Sequence, residues 1–260
     1  MELPKMNILK LEIIDGNIAV LTIDRPEKRN SLNTACHEDL RHFAEFLDNE
    51  NEIRVGIITA IDKKIFVSGN DIGGFHSDTF FIPNSFKDAV DRLEACHKPI
   101  IMAINGMCIG GGTEMAMAGD IRIMSDNASM SLPEAGLGIV PGCGGIQRIA
   151  RCAGTQLAKE MALTGRRVKA DECYLRGLVT AVVPQDQLMD KALEFARMMT
   201  ARAPLALAFI KHAANVALDV DIRDGFRMSE WAQLSLAQTQ DKEEGVKAFM
   251  EKRKPNFIGR

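Results

Sequence analysis

The sequence predicts an α/β protein. Strand-like and helix-like segments alternate as far as about residue 183, the apolar runs are short and bounded by glycine or proline, and beyond Pro204 only helical patterns remain. ILKLEIID and IAVLTID, within residues 7–24, read as two strands, and Gly16-Asn17 between them suits the left-handed backbone of a hairpin turn. After the polar stretch 25–30, Asn33 is a candidate N-cap for a helix whose Leu40, Phe43, Ala44 and Leu47 share one face. Residues 54–61 read as a buried strand. A helix near 86–97 leads to a second buried run, 99–104, closed by the Asn105-Gly106 turn signal. Segments 120–125 and 178–183 are strand-like, and 143–152, 155–163 and 186–201 are helix-like, the last with Leu188, Ala192, Phe195 and Met199 in register. Helices over roughly 204–219, 222–239 and 241–252 carry Phe226, Trp231, Leu234 and Phe249. A helical end of this kind packs on a neighbouring subunit or covers the chain's own core. The division is a core over 1–200 and a helical region over 201–260, with no low-complexity linker between them.

A chain of 260 residues, 46% hydrophobic and 26% charged, buries a substantial core, which excludes a disordered chain. The net charge of -3 and the dispersed Lys and Arg residues provide no field for nucleic acid or an anionic membrane. Cys36, Cys96, Cys108, Cys143, Cys152 and Cys173 form no CxxC pair and the five histidines form no HExxH, so reduced structural thiols and no metal are expected. The N-terminal MELPKMNILKLEIIDGN lacks a signal-peptide pattern and no run of apolar residues is long enough to span a bilayer. A cytoplasmic protein is expected.

Three glycines in Ile109-Gly110-Gly111-Gly112-Thr113-Glu114 follow a buried strand and enter an apolar helix. Backbone N–H groups at a helix start lack intrahelical partners, so an oxygen gaining negative charge is stabilised there. Tight strand–helix packing and a phosphate cradle are the rival readings. The P-loop lysine and the GxGxxG spacing are both missing. Glu114 lies on the first turn of this helix and Glu134 in Ser131-Leu132-Pro133-Glu134-Ala135-Gly136-Leu137-Gly138. Each alone is explained as a helix-start carboxylate; together, beside an oxyanion donor, they suit water addition. Pro141-Gly142-Cys143-Gly144-Gly145 offers another close backbone approach or a simple turn, and Cys143 reads as small packing rather than a nucleophile. No GxSxG occurs.

Over nearly the whole chain these residues resemble the enoyl-CoA hydratase/isomerase (crotonase) superfamily. Arg25-Pro26-Glu27-Lys28-Arg29-Asn30-Ser31-Leu32-Asn33 is similar to its RPxxxNxL signature, Ser68-Gly69-Asn70-Asp71-Ile72 to its first oxyanion loop, 105–120 to its GGGxE helix, 132–145 to its PExxLGxxPGxGG segment, and Glu251-Lys252-Arg253-Lys254-Pro255-Asn256-Phe257 to its C-terminal EKRKPxF. The resemblance implies a crotonase (ClpP-like) spiral of ββα units with a C-terminal helical trimerisation region, hence a homotrimer or homohexamer. It implies no metal or redox cofactor, with the CoA thioester as substrate.

Carried over by position, the backbone N–H groups of Asn70 and Gly111 form the oxyanion hole, Glu114 and Glu134 are the catalytic pair, and Lys28, Ser68, Asn70, Asp71, Ile72 and Gly111 contact the acyl-CoA. Both glutamates together imply an enoyl-CoA hydratase, with Glu134 exchanging the principal proton and Glu114 handling water. One departure stands out: the family hydratases usually read AGAD where this chain reads SGND. That form also resembles some Δ3,Δ2-enoyl-CoA isomerases, so isomerisation or another crotonase reaction is the alternative. A surface-binding relative would need a basic, aromatic-rich stripe, and the chain has one Trp and one Tyr. Arg25, Lys28, Arg29, Lys252, Arg253 and Lys254 read as solvated charges or contacts to CoA phosphates. Phe75, Phe80, Phe81 and Phe86 line an acyl pocket or pack their loop.

Overall fold

The apolar runs 18–23, 55–60 and 100–104 form strands covered on both faces, so side chains of either parity are mostly hydrophobic. A computed structural model describes residues 3–71 and 85–260. β1 (Lys10–Ile14) and β2 (Ile18–Ile23) form an antiparallel hairpin, followed by α1 (Thr34–Asn49). Asn33 caps α1 by accepting from the Cys36 N–H, and Leu40, Phe43, Ala44 and Leu47 are all buried. The hairpin turn differs from the sequence reading. Its left-handed residues are Asp15 (φ 54°) and Gly16 (φ 76°), not Gly16-Asn17, because pairing of Ile14 with Ile18 leaves a three-residue loop whose last N–H returns to Ile14 O.

From there the chain repeats one pattern. β3 (Val55–Ala60), β4 (Ile65–Val67) and α2 (Ser85–Ala95) form one unit; β5 (Ile100–Ile104), β6 (Met107–Ile109) and α3 (Gly111–Met117) form the next; β7 (Ile121–Ser125) and β8 (Ser129–Ser131) begin a third, continued by α4 (Gly145–Ala153) and α5 (Thr155–Thr164). Then come β9 (Val168–Lys169), α6 (Ala170–Leu175), β10 (Ala181–Val183) and α7 (Leu188–Thr200). The first strands of the units join a six-stranded sheet in the order β1-β2-β3-β5-β7-β10, and the second strands a four-stranded sheet ordered β4-β6-β8-β9. Each unit therefore advances both sheets by one strand, which is the ββα spiral. The second sheet was not read from the sequence. Its strands, IFV, MCI and SMS, are three residues each, too short for alternation to register.

The two parities of the large sheet serve two cores. Ile18, Val20, Val55, Ile57, Ile101, Ala103 and Ile123 pack with Leu188, Ala192 and Ala196 of α7. Leu21, Ile58, Ile100, Met102 and Met124 face inward, towards Phe43, Phe66 and Met115. At the first strand junction, buried Asn30 accepts from the Arg25 N–H (2.9 Å) and donates to Ile65 O (2.9 Å) at the start of β4.

α8 (Pro204–Val216), α9 (Ile222–Leu236) and α10 (Gln240–Met250) follow. Buried Lys211 on α8 joins them to the spiral, with Nζ 2.9 Å from Asp120 Oδ2 and 3.2 Å from Lys98 O. Much of the remaining apolar surface of these helices does not cover the chain's own core: Phe226, Trp231, Leu234 and Phe249 are exposed in the single chain. No helix among the described residues is long and apolar enough to cross a membrane.

Removing one partner of a buried ion pair strands the other charge, at a cost of about 3 kcal/mol. Lys211→Met is therefore expected to lower the urea midpoint markedly, and an unchanged midpoint would show that Lys211 does not anchor α8.

Candidate active site

The RPxxxNxL segment and the Ser68–Asp71 loop meet through backbone pairing. Leu32 N–H donates to Gly69 O and Asp71 N–H to Leu32 O, both at 2.9 Å, forming an isolated parallel bridge between Leu32 and Asn70. A parallel bridge uses the groups on either side of the central residue and turns that residue's own N–H away. The Asn70 N–H consequently faces the start of α3. A Cβ on Gly111 would lie 3.4 Å from Asn70 N, and one on Gly69 would lie 3.7 Å from Gly111 N. Two amides thus stand side by side, and among the described residues neither has an acceptor.

Glycine is required for this approach. A Cβ on Gly112 would lie 2.5 Å from Val67 O, a backbone atom of β4 that cannot step aside. Gly110 adopts φ 53°, ψ −120°, a conformation open to glycine. The amide of Gly110 and the hydroxyl of Thr113 both donate to Ser131 O, at 2.9 Å each, seating α3 on the end of β8.

The two glutamates are buried in unlike surroundings. Glu114 Oε1 accepts from the amides of Cys143 (2.6 Å) and Gly145 (3.2 Å). Burial raises the Glu114 pKa, while those amides and the charge of Arg148 act in the opposite direction. Glu134 begins a 3-10 turn over Glu134–Leu137, and its Oε1 lies only 2.8 Å from where a Cβ on Gly110 would be. Its Oε2 is buried without a hydrogen-bond partner among the described residues. Burial, reinforced by the charge of Glu114, pushes Glu134 up to about 7. Donors are thus aimed at one carboxyl, while its neighbour, with a pKa of about 7, keeps a share of its proton near neutrality.

The chain belongs to the enoyl-CoA hydratase/isomerase family. The family model matches residues 14–260. A short-chain-enoyl-CoA hydratase of Clostridium acetobutylicum is 37% identical over 244 residues, covering 92% of this chain and 94% of that protein. A carnitinyl-CoA dehydratase of Citrobacter koseri is 37% identical over 254 residues, covering 94% and 96%. The crystal structure of an enoyl-CoA hydratase from Bacillus anthracis superposes with a TM-score of 0.94 at 34% identity, covering 98% of this chain and all of that one.

The structure brings Asn70, Gly111, Glu114 and Glu134 together. Ser68 and Asp71 are half-buried beside Asn70, and Lys28 is exposed on a 3-10 turn over Pro26–Lys28. Ile72, Phe75, Phe80 and Phe81 lie outside the described residues. Phe86 is fully buried, and its ring edge would lie 3.0 Å from a Cβ on Gly111. Arg25 corrects the sequence reading: it is buried and donates to Ser31 O, so it is neither a solvated charge nor a phosphate contact. Arg253 is engaged by Glu244 and Glu251.

The sequence reading missed the groups that shape Glu114. The Cys143-Gly144-Gly145 turn is where the close backbone approach occurs, and Arg148 fixes it by donating to Cys143 O (2.6 Å) while paired with Glu94 (2.8 and 2.6 Å). The available signal was Arg148, three residues after the glycine pair that opens the helix. His37 was also missed, and its position three residues before Leu40, on the buried face of α1, was the hint.

Because the Glu134 pKa is near 7 in the fold against an ordinary 4.5, the folded state favours its protonated form. That contribution to stability is full below about pH 4.5 and is lost as pH rises through about 7, amounting to no more than about 3 kcal/mol. Glu134→Gln, uncharged throughout, is expected to melt above the parent at pH 8, with the gap closing towards pH 4.5. A gap of equal size at both ends would contradict the assignment.

Proposed function

We propose that this chain is an enoyl-CoA hydratase, adding water reversibly across a 2-enoyl-CoA to give a 3-hydroxyacyl-CoA. The observation that carries this reading is the pair of buried glutamates, one receiving two backbone N–H donors and the other pushed up to about 7, beside two amides that have no acceptor among the described residues. The thioester oxygen accepts from the Asn70 and Gly111 N–H groups, which stabilises the enolate-like transition state more than the neutral substrate. Water adds its oxygen to C3 as Glu114 takes one of its protons. The π pair moves towards C2 and the thioester oxygen, and Glu134 delivers its proton to C2. Proton exchange between the two carboxyls or with solvent restores the starting states.

Lys28, Ser68 and Asp71, with Ile72, form the remaining acyl-CoA contacts in this reading, which needs no cofactor beyond the CoA substrate itself. A short acyl chain accords with the relative from Clostridium acetobutylicum. No disulfide joins the six cysteines, which accords with a cytoplasmic setting. Isomerisation is the second reading, favoured by the Ser68-Gly69-Asn70-Asp71 loop: Glu134 alone then moves a proton between C2 and C4. The exposed aromatic surface of α9 and α10, with Trp231 72% and Phe249 83% exposed, supports association into a homotrimer or homohexamer.

Crotonyl-CoA is expected to lose its conjugated thioester absorbance with this protein, and appearance of that absorbance from a 3-enoyl-CoA without hydration would select the isomerase reading. Hydration kcat/KM should fall as pH rises through about 7, following loss of the Glu134 proton. Glu134→Gln should lower kcat by at least about a hundredfold with acyl-CoA binding retained, and turnover at the parental rate would remove Glu134 from the mechanism. Light scattering should give a multiple of three chains, and a fully active monomer would exclude the trimer.

A further inference from the structure

The side chain that marks this chain's departure from the AGAD pattern is held from behind. His37, buried on α1, places Nε2 3.3 Å from Asn70 Oδ1 and Nδ1 2.9 Å from Ser85 Oγ at the first residue of α2. Its ring lies 5.1 Å from that of Phe86, centroid to centroid, and Phe86 in turn rests on Gly111. We propose that His37 is a positioning residue for the oxyanion hole, acting through the Asn70 side chain. This rests on the reading of the Asn70 and Gly111 amides as that hole.

The chemistry fixes the direction of the bonds. Asn70 Oδ1 only accepts, so His37 carries its proton on Nε2 and donates it, and Nδ1 accepts from the Ser85 hydroxyl. Burial lowers the His37 pKa, which keeps the ring in this neutral form near pH 7.

The tether acts on one peptide plane. The plane bearing the Asn70 N–H can turn about ψ of Gly69 and φ of Asn70. Gly69, at φ 109°, has no Cβ to restrict it. The Leu32 N–H holds the carbonyl end of this plane through Gly69 O (2.9 Å), and a tether from the Asn70 side chain to α1 adds a hold on the amide end by limiting φ there. Family members with alanine in this loop have no such tether available, so the asparagine and the histidine act as one unit. The tether also turns the amide side chain towards α1, so its bulk does not face the bound thioester.

The test uses full-length protein and two readouts. One is crotonyl-CoA hydration. The other is the absorption band of bound para-dimethylaminocinnamoyl-CoA, which moves to the red when the thioester carbonyl is polarised and requires no turnover. His37→Phe keeps a ring against Phe86 and loses both hydrogen bonds. It is expected to shrink the red shift and lower kcat roughly tenfold, with KM changed less than about twofold. His37→Gln, whose amide can donate to Asn70, should recover most of both. In an Asn70→Ala background, His37→Phe should alter kcat and the band by no more than about twofold. Equal losses in both backgrounds would show a packing role and overturn the proposal, as would an unaltered band in His37→Phe alone. A parent protein that shifts the band yet hydrates no enoyl thioester would sink the hydratase reading while the band still judges His37. A parent protein that leaves the band unshifted would sink the positioning role.

Discussion

The site depends on one steric condition, the contact of the start of α3 with the end of β4. Only a residue without Cβ allows Gly112 to lie on the Val67 carbonyl, and the same contact carries Gly111 to Asn70. The amide of Asn70 faces this junction because the neighbouring backbone groups are consumed by Leu32. Leu32 is itself fixed by the preceding turn, where Asn30 spans from Arg25 to Ile65. Two side-by-side amides thus follow from sheet geometry and two short turns.

The second constraint is electrostatic. Two carboxyls taken from water would both resist ionisation, and placing them near each other strengthens that resistance. The fold separates their behaviour by the unequal donors it supplies. Cys143 and Gly145 turn their amides on Glu114, Arg148 holds that turn and adds its charge, and Glu134 receives no comparable partner at Oε2. An orphaned buried carboxylate oxygen would be a defect in a purely structural residue. Burial, with the nearby Glu114 carboxyl adding to it, raises the Glu134 pKa to about 7.

The C-terminal helices answer a different requirement. A buried ion pair between Lys211 and Asp120 attaches α8 to the spiral, and the amides of Ile258 and Gly259 close on Asp241 to tie the tail to α10. Phe226 and Trp231 on α9 and Phe249 on α10 are left outward, which is why association enters the functional reading.

Local sequence determined much of this protein. The cap at Asn33, the apolar face of α1, the doubly covered strand β5 and the glycine run before Glu114 each express a preference acting over a few residues, and the ordered motifs located Asn70, Gly111, Glu114 and Glu134. Tertiary structure alone decided the rest. The second sheet is built from strands too short to show a period, and the hairpin's left-handed residues followed the Ile14–Ile18 register rather than the best turn dipeptide. The unequal states of the two glutamates, the buried task of Arg25 and the tether from His37 to Asn70 all arise between residues distant in the chain. Hydrogen-bond partners and desolvation are properties of a place in space, and no pattern along the chain encodes them before the chain has closed on itself.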